Sequence, residues 1–266
     1  MSIRTEYETL LLKRHEGHVL MVTLNRPDRS NALNTQMGLD LRDLFSTLYA
    51  DQEDLRCAIL TGSGTKAFCA GGDLKERNDM TTEDWLAQHA VFEQMTEAIR
   101  NCPIPIIAAV NGAAYGGGCE MALGSDFIYA ASSARFAQTE TKLGIMPGTG
   151  GTQNLPRACG VRRAKEIILT GEPFTAQQAY RWGIVNHIAD DESLIDETLA
   201  TAGRISANAP IAIQQAKKSI NVATDLDLKS GYAFEIEAYQ KMVPTEDRLE
   251  GVRAFNEKRP PRFQGR

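Results

Sequence analysis

The sequence predicts an α/β core that ends in an all-helical segment. Three features carry that reading. Short apolar, strand-like runs are separated by segments of helical period, two glycine-rich turns follow such runs, and from Ser193 onward the pattern is helical with no convincing strand. A chain of 266 residues, 42% of them hydrophobic, can bury a large core in one domain or in one domain with a helical appendage.

Taken in order, residues 18–24 are rich in β-formers, and residues 55–60 form a short apolar run stopped by Thr61, Gly62, Ser63 and Gly64. Between them, over residues 34–51, Met37, Leu41, Leu44, Phe45 and Leu48 recur on one face of a 3.6-residue period, after an entry segment holding Pro27 and Ser30. A second helical face follows with Trp85, His89, Phe92, Met95 and Ile99. Pro103-Ile104-Pro105 then introduces Ile106–Val110, a continuous apolar run too short for a helix and suited to a strand buried on both faces. Phe127–Ala131 has the same character, and the alternation continues to about residue 190. Helices are expected near residues 193–207, 210–222, 228–243 and 246–256. No repeat or low-complexity linker intervenes, so the expected organisation is an α/β core over 1–195 with an attached helical region over 196–266.

The charge balance, 29 basic against 34 acidic residues, provides no general field for nucleic acid or an anionic membrane, and a polyanionic ligand would need a local basic cluster. The first eight residues lack the apolar core of a secretory signal. No uninterrupted apolar run reaches the roughly 20 residues of a membrane span, so a soluble, cytoplasmic protein is expected. Cys57, Cys69, Cys102, Cys119 and Cys159 show no CxxC spacing, and His15, His18, His89 and His187 show no metal-ligand spacing. Free buried thiols and no metal site are expected.

Two segments could carry chemistry. In the first, Ala67 to Leu74, the pair Gly71-Gly72 follows a strand and precedes a polar helical stretch; a backbone N–H in such a turn can stabilise an oxyanion, although glycines there serve equally to turn the chain. In the second, a buried strand runs through Asn111-Gly112 and Gly116-Gly117-Gly118 into Cys119, Glu120 and a helix, which aims unpaired N–H groups and a positive helix terminus at an anion or a polarised carbonyl. Close helix packing would explain the same glycines. Glu120 sits in an otherwise small, apolar first turn. Glu140 follows a strand-like stretch and precedes Pro147-Gly148-Thr149-Gly150-Gly151-Thr152. If they converge on one water, one carboxylate can remove a proton while the other donates one. The segment 62–66 lacks phosphate-loop spacing, the segment 148–152 lacks the dinucleotide fingerprint, and no serine sits in a nucleophile elbow.

At these residues the chain resembles the crotonase superfamily, and closely its enoyl-CoA hydratase branch, over nearly its whole length. The ordered match runs from Asn25-Arg26-Pro27 and Asn31-Ala32-Leu33-Asn34, through Ala67 to Leu74 and Ala109 to Glu120, to Glu140, Gly144, Pro147 and Gly150 to Gln153. It closes with Phe255 to Arg259. The resemblance implies a crotonase-type spiral of ββα units with a C-terminal helical trimerisation region, and a homotrimer or dimer of trimers. It implies an oxyanion hole from the N–H groups of Gly72 and Gly117, with both glutamates holding the attacking water, Glu120 assisting its deprotonation and Glu140 delivering the proton to Cα.

For coenzyme A, the resemblance places Arg29 near phosphate, Ala32 and Leu33 along the pantetheine, and Ala70, Asp73 and Leu74 around the adenine. Phe255 and Lys258 would come from the tail, in many members of an adjacent subunit. The implied reaction is addition of water to a trans-2-enoyl-CoA, with the CoA thioester as substrate and no metal or redox cofactor. An isomerase or carbon–carbon lyase of the same superfamily and a non-catalytic CoA-binding oligomer are the alternatives. The segments Phe68 to Arg77 and Glu140 to Gly144 also look like those of 3-methylglutaconyl-CoA hydratases. Gly72 stands where many hydratases carry alanine, and an acyl pocket involving Trp85 and Tyr239 is expected.

Overall fold

A computed structural model describes residues 3–266; residues 1 and 2, which open the N-terminal stretch read for a signal, lie outside it. The chain begins with a hairpin of β1 (Leu10–His15) and β2 (Val19–Leu24), reversed at Gly17, whose φ is +78°. Helix α1 (Thr35–Ala50) starts at Asn34, whose side chain accepts from the Met37 N–H, the cap that a polar residue before a periodic apolar run provides. After it come β3 (Cys57–Gly62), β4 (Ala67–Cys69), the single turn α2 (Leu74–Arg77) and α3 (Thr82–Arg100). A capping box of Thr81 and Asp84 starts α3.

Next are β5 (Ile106–Val110), β6 (Ala113–Tyr115), α4 (Gly117–Gly124), β7 (Phe127–Ala131) and β8 (Arg135–Ala137). These lead to α5 (Gly151–Cys159), α6 (Val161–Thr170), β9 (Phe174–Thr175), α7 (Ala176–Arg181) and β10 (His187–Ala189). The strands sort into two sheets. The larger has the order β1-β2-β3-β5-β7-β10 and is parallel apart from the first hairpin. The smaller has the order β4-β6-β8-β9 and is parallel apart from β8–β9. Three times in succession the chain lays one strand in the large sheet, the next in the small sheet, and then a helix, which is the expected spiral of ββα units. Strands β3 and β5 are buried at every position, which is why they read as continuous apolar runs without alternation.

The sequence reading did not delimit β1, β10 or the strands of the small sheet, noting there only a strand ahead of Gly71 and a strand-like stretch ahead of Glu140, where β4 and β8 lie. Strands of two or three residues are too short to display a period, and β1, an edge strand, alternates poorly, with only Leu10 fully buried. The tail consists of α8 (Leu194–Ser206), α9 (Pro210–Ala223), α10 (Leu228–Gln240) and α11 (Glu246–Asn256), close to the expected segments. The expected division between 195 and 196 falls inside α8, and Leu194, Leu199, Ala202 and Ile205 of that helix pack on the core. The later helices are held differently. Lys217 of α9 donates to Asp126 at 2.7 Å and to the Ile104 carbonyl at 2.9 Å, while Asp247 of α11 accepts from the N–H groups of Gln264 and Gly265. Helix α9 buries no residue fully and α10 only Ala238, and Ile220, Tyr232, Ile236 and Phe255 stay exposed.

Candidate active site

The two glycine turns abut. At the end of β4, Gly71 adopts a φ of +94°, and a Cβ there would lie 2.8 Å from the Tyr115 carbonyl oxygen in the other turn. Helix α4 starts at Gly116, whose φ of +49° and ψ of −123° suit glycine and let β6 turn sharply into the helix. Leu33 pins the first turn: its N–H donates to the Gly71 carbonyl and its carbonyl accepts from the Asp73 N–H. Alternate peptide groups of an extended segment point to opposite sides, so the Gly72 N–H faces away from Leu33, without an acceptor among the described residues. Gly117 opens α4 and its N–H is one of those for which a helix has no internal acceptor. Both residues line one cavity of about 490 Å³.

Glu120 and Glu140 line the same cavity. Glu120, on the first turn of α4, is 4% exposed. One carboxylate oxygen accepts from the Thr149 N–H at 2.9 Å and the Gly151 N–H at 2.7 Å, and the other from the Thr149 hydroxyl at 2.6 Å. Gly151 is the first residue of α5, so the carboxylate occupies the positive end of that helix, which explains how a buried acid is accommodated. All three partners are donors, and they fix the side chain in one orientation.

Glu140 heads a short 3-10 turn and is 8% exposed. Its Oε1 lies 3.1 Å from the position that a Cβ on Gly116 would take, directly over the second glycine turn. Gln138, fully buried, donates to both Glu140 oxygens at 3.2 and 3.3 Å with its amide nitrogen turned toward them. Burial pushes the Glu140 carboxyl up to about 7; its own backbone N–H pulls the other way and the Glu120 charge adds to the rise. Cys119, beside them, is inert, because burial pushes its thiol up to about 12.

Beyond the acids the cavity has an apolar wall that includes Trp85, Phe92, Leu143 and Met146. Arg77, the last residue of α2, interrupts it. Its guanidinium lies 4.2 Å from the centre of the Trp85 ring, and its Nε donates to Gln88 at 2.7 Å. The sequence reading did not single out Arg77, Gln88, Gln138 or the donors of Thr149 and Gly151. The last two lie in a glycine-rich segment that was noted, but nothing local says that its N–H groups face a carboxylate 29 residues or more earlier in the chain.

Of the residues implied for coenzyme A, Leu33, Ala70 and Leu74 line the cavity. Ala32 is buried next to Leu33, and Arg29 lies exposed in the short 3-10 turn Pro27–Arg29. Asp73 has its carboxylate engaged: it caps α2 through the Lys75 and Glu76 N–H groups and pairs with Arg26 at 2.9 Å. Burial pushes that carboxyl up, but the Arg26 bond and the capping donors outweigh it and hold it below its usual range. Phe255, 84% exposed on α11, and Lys258, just beyond that helix, do not line the cavity within one chain; nor does Tyr239, whereas Trp85 does. Among the described residues no group of three or more His, Cys, Asp or Glu could hold a metal ion, and no helix is long and apolar enough to cross a membrane.

Parallel ββα turns enclosing a cavity with paired glycine N–H groups and two buried acids define the class of site. The family model described as enoyl-CoA hydratase/isomerase matches residues 14–266. A crystal structure of enoyl-CoA hydratase from Bacillus anthracis superposes with a TM-score of 0.95 at 40% identity, covering 97% of this chain and 100% of that one. The short-chain-enoyl-CoA hydratase of Clostridium acetobutylicum is 39% identical, over 96% of this chain and 97% of its own. The crotonyl-CoA hydratase of Syntrophomonas wolfei is 37% identical, over 97% and 98%. The chain therefore belongs to the enoyl-CoA hydratase/isomerase family, and it is an enzyme of the crotonase superfamily with the crotonase fold.

Proposed function

We propose that the protein adds water reversibly to trans-2-enoyl-CoA thioesters, giving 3-hydroxyacyl-CoA. The observation that carries this reading is the pair of buried carboxylates in one cavity with the N–H groups of Gly72 and Gly117. The thioester oxygen accepts from those two N–H groups, which draws the π electrons of the conjugated alkene toward it and leaves Cβ electron-poor. A water between the acids gives one proton to Glu120 as its oxygen bonds to Cβ. The negative charge that develops on the thioester oxygen is held by the two N–H groups, and Glu140 delivers its proton to Cα. The pair thus passes one proton through and ends with the same total, so proton exchange between the acids or with solvent restores the starting state. Both proton transfers and the charge stabilisation are assigned to groups of the chain, and the reading includes no metal or redox cofactor.

The remaining assignments follow the same reading. Arg29 contacts a CoA phosphate, Ala32 and Leu33 lie along the pantetheine, and Ala70, Asp73 and Leu74 surround the adenine. Phe255 and Lys258 reach the CoA of a neighbouring subunit in a homotrimer or dimer of trimers, and the protein works in the cytoplasm. The relatives named for enoyl-CoA hydration support the reaction class. Glu140→Gln is the direct test: with crotonyl-CoA, kcat should fall by on the order of 10³-fold with KM nearly unchanged. A product heavier by one water establishes hydration. A Glu140→Gln enzyme that keeps its turnover removes Glu140 from the role.

A further inference from the structure

Thr149 grips both oxygens of Glu120. Its N–H donates to Oε1 at 2.9 Å, and its hydroxyl donates to Oε2 at 2.6 Å, the short distance of a charge-assisted bond from a hydroxyl to a carboxylate. Gly151 adds a second N–H to Oε1 at 2.7 Å, and a Cβ on Gly151 would lie 3.0 Å from that oxygen, so the start of α5 closes over it. The two oxygens are therefore unlike. Of the roughly four lone-pair sites of a carboxylate, both on Oε1 are taken by backbone donors fixed in the turn into α5. On Oε2 the hydroxyl takes one, and the other has no donor among the described residues.

A base that takes a proton from water needs a lone pair aimed at that water, and the hydroxyl settles which one stays open. Thr149 lines the same cavity as Glu120 and Glu140 and is 9% exposed. Its hydroxyl has a single partner among the described residues, Oε2. The two backbone N–H groups already anchor the buried carboxylate, so the hydroxyl is not needed to hold the side chain in place. A valine at this position would keep the N–H and the branched shape and remove only the O–H donor.

On the hydratase reading, we infer that Thr149 is a positioning residue for the attack of water: its hydroxyl occupies one side of Glu120 Oε2 and presents the other side to the water that adds to Cβ. The Cα step, served by Glu140 and the two glycine N–H groups, does not involve it. Two reactions of the one cavity separate this role from a contribution to the fold. Hydration of crotonyl-CoA uses both acids. Exchange of a Cα proton of butyryl-CoA with deuterium oxide uses only Glu140 and the two N–H groups, because this saturated thioester has no alkene for water to attack. Glu140, ionised above about pH 7, takes the proton, exchanges it with solvent and returns a deuteron. Thr149→Val should lower kcat for hydration by on the order of 10-fold, the scale of one hydrogen bond to a charged group, with KM nearly unchanged. It should leave the exchange rate as in the wild type, and Thr149→Ser should recover most of the hydration. Thr149→Ala, which cannot overpack the site, should split the two reactions in the same way. Hydration by Thr149→Val at the wild-type rate overturns the inference, as does a loss that Thr149→Ser fails to recover. An equal loss of hydration and exchange in both the valine and alanine variants also overturns it, because Thr149 would then serve the fold or the oxyanion hole. A wild-type protein that hydrates no enoyl-CoA removes the hydratase reading itself.

Discussion

Glu140 is a carboxyl held where ionisation is disfavoured. An ordinary glutamate, near 4.5, has lost its proton long before neutral pH, whereas burial and the Glu120 charge keep Glu140 protonated up to about 7. On the proposed mechanism the proton for Cα is therefore present below that pH and lost above it. Since the net addition of water takes up no proton, hydration and dehydration share the same requirement, one proton on the pair. Both kcat/KM profiles should fall about tenfold per pH unit above about pH 7. Rates measured from pH 6 to 9 in each direction check this; flat profiles would exclude Glu140 as the donor. The two acids were legible as candidates because each stands beside a glycine-rich turn. Their division of labour was not, because it depends on the Thr149 and Gly151 donors for one and on Gln138 and burial for the other, all brought in from distant parts of the chain.

Helix α4 is short, and its place is decided by the absence of side chains. A Cβ on Gly118 would lie 2.1 Å from the Cys69 carbonyl oxygen, so the helix seats on β4 only with glycine there. Gly118→Ala should therefore lose about 3 kcal/mol or more of stability through overpacking, together with the alignment of Gly117 and Glu120. Gly124→Ala, at the far end of the same helix and with nothing within 4 Å of the added carbon, should be neutral or slightly stabilising. Urea denaturation of the two variants separates the effects; equal stability would mean that the close approach is not required. The run Gly116-Gly117-Gly118 is visible in the sequence, but there its three members look alike. In the structure one supplies a positive φ, one an unpaired N–H and one the space for a neighbouring carbonyl.

At the scale of the whole molecule, α9, α10 and α11 leave Ile220, Tyr232, Ile236, Tyr239, Val252 and Phe255 in solvent, each more than half exposed. Helices that bury so little within their own chain fit the proposed assembly, in which another subunit covers them. Sedimentation should give about three or six times the 29.2 kDa of one chain, with no stable population of single chains. A monodisperse monomer that retains full turnover would overturn both the assembly and the contribution of Phe255 and Lys258 from a neighbour.

The sequence by itself determined the central strands, the long helices and the two glycine turns. These rest on interactions within a few residues: apolar runs the length of a strand, one apolar face per helical period, and residues that alone tolerate a sharp turn. It also supplied the family resemblance. It could not supply the four-stranded second sheet, whose strands of two or three residues exist only because neighbours pair with them. Nor could it place Arg77 beside Gly72, since a guanidinium in a helix of four residues reads as solvated surface until Trp85 and Gln88 fold over it. Tertiary structure decided which polar groups share one cavity, because that depends on contacts between residues far apart in the chain, and periodicity carries no record of them.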